Sequence, residues 1–254
     1  MSQNTHAIYI HWPFCKKKCP YCDFNSHVRE QVDETAWHEA LLRELRWYHA
    51  QAASWPVSSI FFGGGTPSLM PPFIAQALIE EAEELFGFTK DIEITLEANP
   101  TSTENAKLKD LRHAGVNRLS TGIQSLRPEA LKFLGREHSV SEALQALEMA
   151  SSIFDRYSFD LIYALPDQTI PSWETELKEA LNHAGDHLSL YQLTIEQGTQ
   201  FYHHHQSGKL VMPKEELLAE FYEVTQSIME AHGMPAYEIS NHAAKSGQAR
   251  HNVH

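Results

Sequence analysis

The sequence predicts an α/β fold with a parallel sheet whose strands are joined by helical crossovers. Short runs of β-branched and aromatic residues alternate with amphipathic, helix-length segments six times along the 254 residues. Gly or Pro ends several of these segments. Six such units fit either a doubly wound open sheet or an incomplete barrel, and in both the functional side chains are expected beyond the carboxyl ends of the strands.

The predicted strands are identified by their β-branched and aromatic residues. They cover residues 8–10, 59–62, 91–98, 118–124, 157–165 and 188–195. Pro13 and Pro166 end the first and fifth strands. The second strand runs directly into a glycine-rich turn at residues 63–67, which places that turn at a carboxyl end.

The predicted helices show apolar residues at helical spacing. They cover residues 33–53, 72–85, 103–113, a segment that opens at 139, 171–182 and 213–232. Asp33 is the predicted N-cap of the first helix, and Ser139 with Glu142 resembles a capping box. Gly115 ends the third helix, and residues 196–212 form the one long loop that is predicted.

All three cysteines, Cys15, Cys19 and Cys22, lie within eight residues directly after the first strand. An odd number so closely spaced does not form a disulfide framework and indicates a metal or iron–sulfur site. A structural zinc site would need His11 or His27 as its fourth ligand. A four-iron cubane held by three cysteines leaves one iron open for a small chelating molecule.

Two runs of like residues have both a functional and a simpler interpretation. Lys16, Lys17 and Lys18 place positive charge beside the thiols, which favours thiolates, but they equally fit a solvated loop. The run from His203 to His205 suggests a metal site. Adjacent residues cannot all face one ion, so a solvated loop is the preferred interpretation.

Composition limits the classes of partner. The formal net charge of −13 argues against broad binding of nucleic acid or anionic membranes. No apolar run approaches the ~20 residues that cross a bilayer, and the N-terminal residues show no signal-peptide pattern. We expect a cytoplasmic location, where reduced thiols and a labile cluster persist.

The motif C-x3-C-x2-C, with Tyr21 before the last cysteine, resembles the signature of radical S-adenosylmethionine (SAM) enzymes. The flanking I-Y-I-H-W-P-F-C and C-D-F-N resemble the oxygen-independent coproporphyrinogen III oxidase group, closest to its haem chaperones, the HemW branch. The resemblance extends along nearly the whole chain. It implies an incomplete (β/α)6 barrel of the radical SAM type over residues 1–240. Residues 241–254 would begin a C-terminal region that is truncated at His254.

The resemblance also implies the cofactors and their contacts. A [4Fe-4S] cluster on the three cysteines would chelate the amine and carboxylate of SAM, and an electron would cleave SAM to a 5′-deoxyadenosyl radical. The implied SAM contacts are Tyr9, Gly64, Gly65, Thr66, Glu97, Gln124, Arg136 and Asp160.

Several of these contacts also have an ordinary structural interpretation. The glycine turn fits a tight strand exit, Tyr9 a core aromatic, and Glu97 a helix-capping acid. Asp160 is an acid inside an apolar strand and needs a partner, for which Arg136 is the candidate.

Two functions follow from the resemblance. An oxidase would decarboxylate the propionates of coproporphyrinogen III, whereas a chaperone would bind haem and deliver it to an acceptor such as a respiratory haem protein. Phe24 stands where the oxidase motif carries a fourth cysteine, which favours the chaperone. The segment around Arg250, His251 and Asn252 resembles the approach to a chaperone H-N-x-x-Y segment, which makes His251 a candidate axial haem ligand.

Overall fold

The computed structural model describes residues 4–101, 104 and 106–253, and within them a seven-stranded sheet forms the centre of the chain. The strands are β1 (His6–Trp12), β2 (Phe14–Cys15), β3 (His27–Val28), β4 (Val57–Gly64), β5 (Phe88–Ala98), β6 (Arg118–Gln124), β7 (Arg156–Tyr163), β8 (His187–Gln192) and β9 (Asn241–Ala243). The helices are α1 (Glu34–His49), α2 (Pro72–Phe86), α3 (Leu108–His113), α4 (Pro128–Phe133), α5 (Val140–Ile153), α6 (Ile170–Leu181), α7 (Gln200–Gln206) and α8 (Glu215–Ala231). Single 3-10 turns lie at Pro67–Leu69 and Arg250–Val253.

The strands of the main sheet follow the order β1-β4-β5-β6-β7-β8-β9. All neighbours from β1 to β8 are parallel, and β9 runs antiparallel to β8. A doubly wound sheet reverses its direction of growth partway, whereas here each parallel strand is added beside the previous one. With β1 and β9 as its two edges, the sheet is an open, incomplete barrel. The α/β prediction is confirmed, and the incomplete barrel is the correct alternative.

The core lies between the helices and one face of the sheet. One buried cluster joins β1, β4 and β5 to α1, α2 and α3 through residues such as Phe62 and Leu78. A second joins β6, β7 and β8 to α5, α6 and α8 around Trp173 and Phe221. The indole N–H of Trp173 donates to the hydroxyl of Thr225 at 2.8 Å, so the polar atom of this buried ring is satisfied.

The opposite face of the sheet carries polar side chains. Ile94 of β5 lies in the helix-covered core, so its neighbour Glu93 points to the other face. Arg156 donates to the carboxylate of Glu93, to Asp186 at 3.0 Å and to the backbone carbonyl of Gly247 at 2.6 Å. Buried charges are tolerated when they are paired in this way. The pairing holds the segment after Gly247 against the amino end of the sheet.

The predicted helix starts at Asp33 and Ser139 are confirmed. The carboxylate of Asp33 accepts from the backbone N–H of Ala36 at 3.0 Å. Ser139 and Glu142 form a reciprocal capping box. Each cap satisfies backbone N–H groups that have no partner within the helix, which is why these residues fix where the helices begin.

The predicted long loop over residues 196–212 is wrong, because it contains α7. The hydroxyl of Thr199 caps this helix by accepting from the backbone N–H of Tyr202 at 3.1 Å. Phe201 is buried and contacts Tyr21 of the cysteine loop, with ring centroids 6.3 Å apart. A cap and one anchoring aromatic thus produce a helix where the run of histidines suggests a solvated loop.

Other differences concern boundaries and short elements. The predicted strand 157–165 ends at Tyr163, because Ala164 adopts a φ of 58° that leaves the extended conformation. The sequence prediction omits α4 and β9, and β9 lies within the predicted C-terminal region 241–254. The predicted helix start at Thr103 lies outside the described residues, and α3 begins at Leu108. No helix in the described ranges is both long and apolar enough to cross a bilayer.

Replacing Ser139 with Ala should lower the free energy of unfolding by about 1 kcal/mol, because the first turn of α5 loses its capping acceptor. Urea unfolding followed by circular dichroism measures this. Ser141→Ala, on the exposed first turn of the same helix, is the matched control. Equal effects of the two substitutions would contradict a capping role.

Candidate functional site

The cysteine loop leaves the carboxyl end of β1 and returns as β3. The ring of Phe14 packs edge-on against Trp12 and Trp37, at centroid distances of 5.2 and 5.1 Å. The backbone N–H of His27 donates to the carbonyl of Pro13 at 2.7 Å. Both ends of the loop are therefore fixed to the sheet before the cysteines are placed.

The cysteine sulfurs lie among hydrogen-bond donors. Cys15 is buried, and its Sγ accepts from the hydroxyl of Thr66 at 3.4 Å. The Sγ of Cys19 accepts from Nη1 of Arg136 at 3.4 Å. The backbone N–H of Cys22 donates to the carbonyl of Cys19 at 3.1 Å, and burial raises the pKa of the Cys22 thiol. Donors aimed at sulfur suit thiolates that ligate an iron–sulfur cluster.

A single metal ion does not fit these residues. Among the described side chains, no three of His, Cys, Asp and Glu type converge on one ion position. The two ring nitrogens of His11 already contact the Tyr9 hydroxyl at 3.2 Å and the Asn25 carbonyl at 2.9 Å, and His27 is exposed. A zinc ion needs all four ligands within about 2.3 Å, whereas the ligands of a cubane are spread over separate irons. Three cysteines on one loop are the type of donor that a cubane takes.

Two lysines of the loop make polar contacts in the structure. The ammonium of Lys18 donates to the backbone carbonyl of Phe24 at 3.2 Å, and Lys17 pairs with exposed Glu137 at 3.5 Å. The charge of Lys18 also lowers the pKa of Cys22, although burial has the larger, opposite effect. Both interpretations of the lysine run therefore apply to Lys18.

The glycine turn after β4 lies directly against the cysteine strand. The backbone N–H of Gly65 donates to the carbonyl of Trp12 at 2.8 Å. A Cβ on Gly65 would lie 2.7 Å from the carbonyl oxygen of Phe14, closer than real contacts allow. The N–H of Gly64 donates to Oε2 of Glu97 at 3.2 Å. The turn thus joins the cysteine strand to the acid at the end of β5.

Two partly buried carboxyl groups lie near each other in the site. Burial, with a contribution from Asp160, raises the pKa of Glu97 to about 8. Burial likewise raises the pKa of Asp160 to about 6, against hydrogen bonds from Ser189 and Ser120. The expected ion pair of Asp160 with Arg136 is absent from the ion pairs of the described residues. Ser189 and Ser120 oppose this rise only in part, and Arg118 and Arg136 act on Asp160 only through their charges.

Gln124 ends β6 in an unusual conformation. Its φ is 72°, and the register of β6 with β7 shifts between Thr121 and Gln124. Residues other than Gly rarely adopt a positive φ, and those that do are often found at functional sites. The Oε1 of Gln124 is buried without a hydrogen-bond partner among the described residues. A buried acceptor of this kind suits a ligand that supplies a donor.

Tyr9 and His251 lie close together on the polar face. The ring of Tyr9 stacks over Phe61 at 6.1 Å, and the ring of His251 stacks on the same Phe61 at 5.0 Å. Burial and the charge of Glu97 raise the pKa of Tyr9 to about 12, so its phenol keeps its proton. The candidate haem ligand is thus 6.1 Å, ring to ring, from a predicted SAM contact.

Asn99 is a site residue that the sequence prediction misses. Its Nδ2 donates to the Thr66 hydroxyl at 3.3 Å, and its Oδ1 accepts from Nη2 of Arg136 at 2.5 Å. Its position in E-A-N-P, directly after the end of β5 and before Pro100, was the feature of the sequence that could have indicated a site residue. A small cavity of about 50 Å³ reaches Asn99, Arg136 and Cys19.

Comparison with known proteins gives the family of the chain. A family profile described as the Radical SAM superfamily matches residues 9–180. The chain is 40% identical over 248 residues to a Danio rerio protein named Radical S-adenosyl methionine domain-containing protein 1, mitochondrial, covering 97% of the chain and 56% of that protein. It is 39% identical over 249 residues to the Heme chaperone HemW of Escherichia coli K12, covering 97% of the chain and 65% of HemW.

A solved structure shares the fold. Coproporphyrinogen III oxidase (HemN) from Escherichia coli, described as a radical SAM enzyme, superposes with a TM-score of 0.82 at 28% identity, covering 96% of the chain and 56% of HemN. The chain therefore spans between 56% and 65% of the length of these three proteins.

Replacing Glu97 with Gln should change how stability depends on pH. A carboxyl group whose pKa rises from 4.5 unfolded to about 8 folded keeps its proton longer in the fold. Its contribution to stability is therefore present below pH 4.5 and is lost as pH rises toward 8. The amide introduced by Glu97→Gln does not titrate and retains an acceptor for the N–H of Gly64.

Urea unfolding of the metal-free chain at pH 5 and pH 8 tests this expectation. The stability of the wild type relative to Glu97→Gln should fall by up to about 1.4 kcal/mol per pH unit across this interval. Glu129→Gln, at an exposed position of α4, is the control. A relative stability that stays constant with pH would contradict the raised pKa.

Proposed function

Since the chain belongs to the radical SAM superfamily, which implies a [4Fe-4S] cluster and SAM as cofactors, we propose that it is the cofactor-binding part of a haem chaperone. It holds the cluster on Cys15, Cys19 and Cys22 and binds SAM at the carboxyl ends of the strands. The protein passes haem to haem-protein acceptors, such as a respiratory haem protein. The observation that carries this proposal is the fixed three-cysteine loop, whose Cys15 and Cys19 sulfurs accept from Thr66 and Arg136.

The chaperone assignment rests on the loop sequence and the named relatives. Phe24 stands where a fourth cysteine would mark the oxidase, and its side chain is exposed. Four bacterial proteins named Heme chaperone HemW are 36–39% identical to this chain over almost its whole length. His251 is the proposed axial ligand of haem.

The side chains of the site have separable roles in holding SAM. The chemistry that a reduced cluster of this type supplies is single-electron transfer to SAM. We propose that Glu97 hydrogen bonds with the ribose hydroxyls and that Asp160 also contacts SAM. Because burial raises the pKa of Glu97 to about 8, its carboxyl group can donate near neutral pH. Gln124 offers an unused acceptor. The backbone of Gly64 and the residues after it would hold the methionine part of SAM.

The remaining contacts and the cellular setting complete the proposal. Tyr9, Gly65, Thr66 and Arg136 would line the same site. The acidic chain has no nucleic-acid partner. We place it in a reducing compartment, the cytoplasm, where thiols stay reduced. Residues 1–240 form the SAM-binding core, and residues 241–254 begin the C-terminal region.

A second candidate function is oxygen-independent coproporphyrinogen III oxidase. The structural similarity to HemN, with a TM-score of 0.82, favours it. The absence of the fourth cysteine at Phe24 weighs against it. An anaerobic assay with coproporphyrinogen III, SAM and a reductant separates the two, because only the oxidase forms protoporphyrinogen at an appreciable rate.

Anaerobic reconstitution with iron and sulfide should give about four irons per chain and an electron paramagnetic resonance (EPR) signal after reduction. Adding SAM should change that signal, because the open iron accepts a chelating ligand. Cys19→Ser should lose the cluster. Phe24→Ser, on the same loop, should keep it, and a cluster that survives Cys19→Ser with full iron content would refute the ligand assignment.

Haem titration followed by the Soret band tests the chaperone assignment. The wild-type chain should bind haem, and His251→Ala should weaken binding at least tenfold, since an axial ligand is lost. His113→Ala, exposed at the end of α3, is the control. Equal affinities for the two variants would exclude His251 as the ligand.

A further inference from the structure

Two of the cysteine sulfurs are connected by an unbroken series of hydrogen bonds. The guanidinium of Arg136 donates through Nη1 to Cys19 at 3.4 Å and through Nη2 to Oδ1 of Asn99 at 2.5 Å. Asn99 donates to the Thr66 hydroxyl at 3.3 Å, and Thr66 donates to Cys15 at 3.4 Å. We call Arg136, Asn99 and Thr66 the donor chain.

The direction of the donor chain is fixed by its first member. A guanidinium has only donors, so the atom of Asn99 that faces it must be the carbonyl oxygen. The amide nitrogen of Asn99 then faces the oxygen of Thr66 and occupies a lone pair of the hydroxyl. The hydroxyl hydrogen is left to point at the sulfur of Cys15. One cation therefore directs a donor at both sulfurs, at Cys19 directly and at Cys15 through two residues.

The backbone at Asn99 is held independently of the donor chain. The carboxylate of Glu104 accepts from the Asn99 N–H at 2.9 Å and from the hydroxyls of Ser68 and Thr101. Glu104 is 2% exposed. The backbone of Asn99 is thereby held where its amide can reach both Arg136 and Thr66.

We propose that Asn99 is a positioning residue that sets the hydrogen bonds on the Cys15 and Cys19 sulfurs and so raises the reduction potential of the cluster. The inference rests on the cluster proposed above. Donors to cluster sulfurs favour the reduced, more negative state. Asn99 itself touches neither sulfur. Its effect passes through Thr66, whose hydroxyl it orients, and Arg136, whose guanidinium it holds together with the backbone carbonyl of Gly122, which accepts from Nη2 at 2.8 Å.

Asn99→Asp is the most informative variant, because it preserves the shape of the side chain and replaces the donor that faces Thr66 with an acceptor. A carboxylate accepts from Arg136 as the amide does, but it has no donor for Thr66. The Thr66 hydroxyl would turn to the carboxylate and leave Cys15. The ratio of reduced to oxidised cluster at a fixed solution potential should fall about tenfold, equal to about 59 mV for a one-electron couple. Asn99→Ala removes both bonds and should also lower the ratio.

Asn99→Asp has two effects on the ratio of reduced to oxidised cluster: it adds a charge, and it reorients the Thr66 hydroxyl. A double-mutant cycle separates these two effects. Thr66→Val removes the hydroxyl and leaves any direct effect of the charge. The donor chain predicts that Asn99→Asp lowers the ratio less in the Thr66→Val chain than in the wild type. Equal effects in both chains would overturn the inference. Asn182→Asp, the same substitution at the far end of α6, is the control and should leave the ratio unchanged.

Crystal structures of the metal-free variants give a readout that needs no cluster. In Asn99→Ala, the Arg136 guanidinium should move away from the Cys19 sulfur. In Asn99→Asp, Thr66 Oγ1 should lie closer to the substituted side chain than to Cys15. Unchanged contacts in both variants would overturn the inference whether or not the wild type takes up iron. A wild type that takes up no iron while these contacts shift would refute the proposed function but not the positioning role.

Discussion

The site depends on the close backbone approach of the glycine turn to the cysteine strand. Hydrogen bonds from Gly65 to Trp12 and from Thr66 to Phe14 leave no room for a side chain at Gly65. This contact brings the hydroxyl of Thr66 to Cys15 and presents the N–H of Gly64 to Glu97. Three strands of the sheet thus contribute to one site through contacts of the glycine turn that a small shift would break.

Burial of charge is the second organising feature, and the two ends of the polar face handle it differently. At the amino end, Arg156 pairs with Glu93 and Asp186, so the charges are compensated within the chain. At the carboxyl end, Glu97 and Asp160 lack a direct cationic partner among the described residues, and burial raises the pKa of each. Polar groups without a charge partner at a strand end are typical of a binding site, because a bound ligand can supply the hydrogen-bond or charge partner that the protein lacks there.

The sequence alone predicts the features of the fold and the site that depend on neighbouring residues. Strand and helix alternation, the caps at Asp33 and Ser139 and the cysteine spacing all follow from neighbouring residues, and they predicted the fold class and the cluster loop. Contacts between segments that are distant along the chain could not be predicted from the sequence. The bonds of Asn99, the helix at 200–206 and the serine partners of Asp160 depend on tertiary packing, which pairs residues that no local pattern relates. The expected Arg136–Asp160 pair failed for the same reason.

The contact of α7 with the cysteine loop has a consequence for biogenesis. The backbone N–H of Phe201 donates to the carbonyl of Pro20 at 2.9 Å, between the second and third cysteines. A ribosome-bound chain cannot make this long-range contact until residue 201 has emerged, since non-local contacts form late. The three-cysteine loop therefore gains its contact with α7 only after translation has passed residue 206, and until then it is held at its two ends alone.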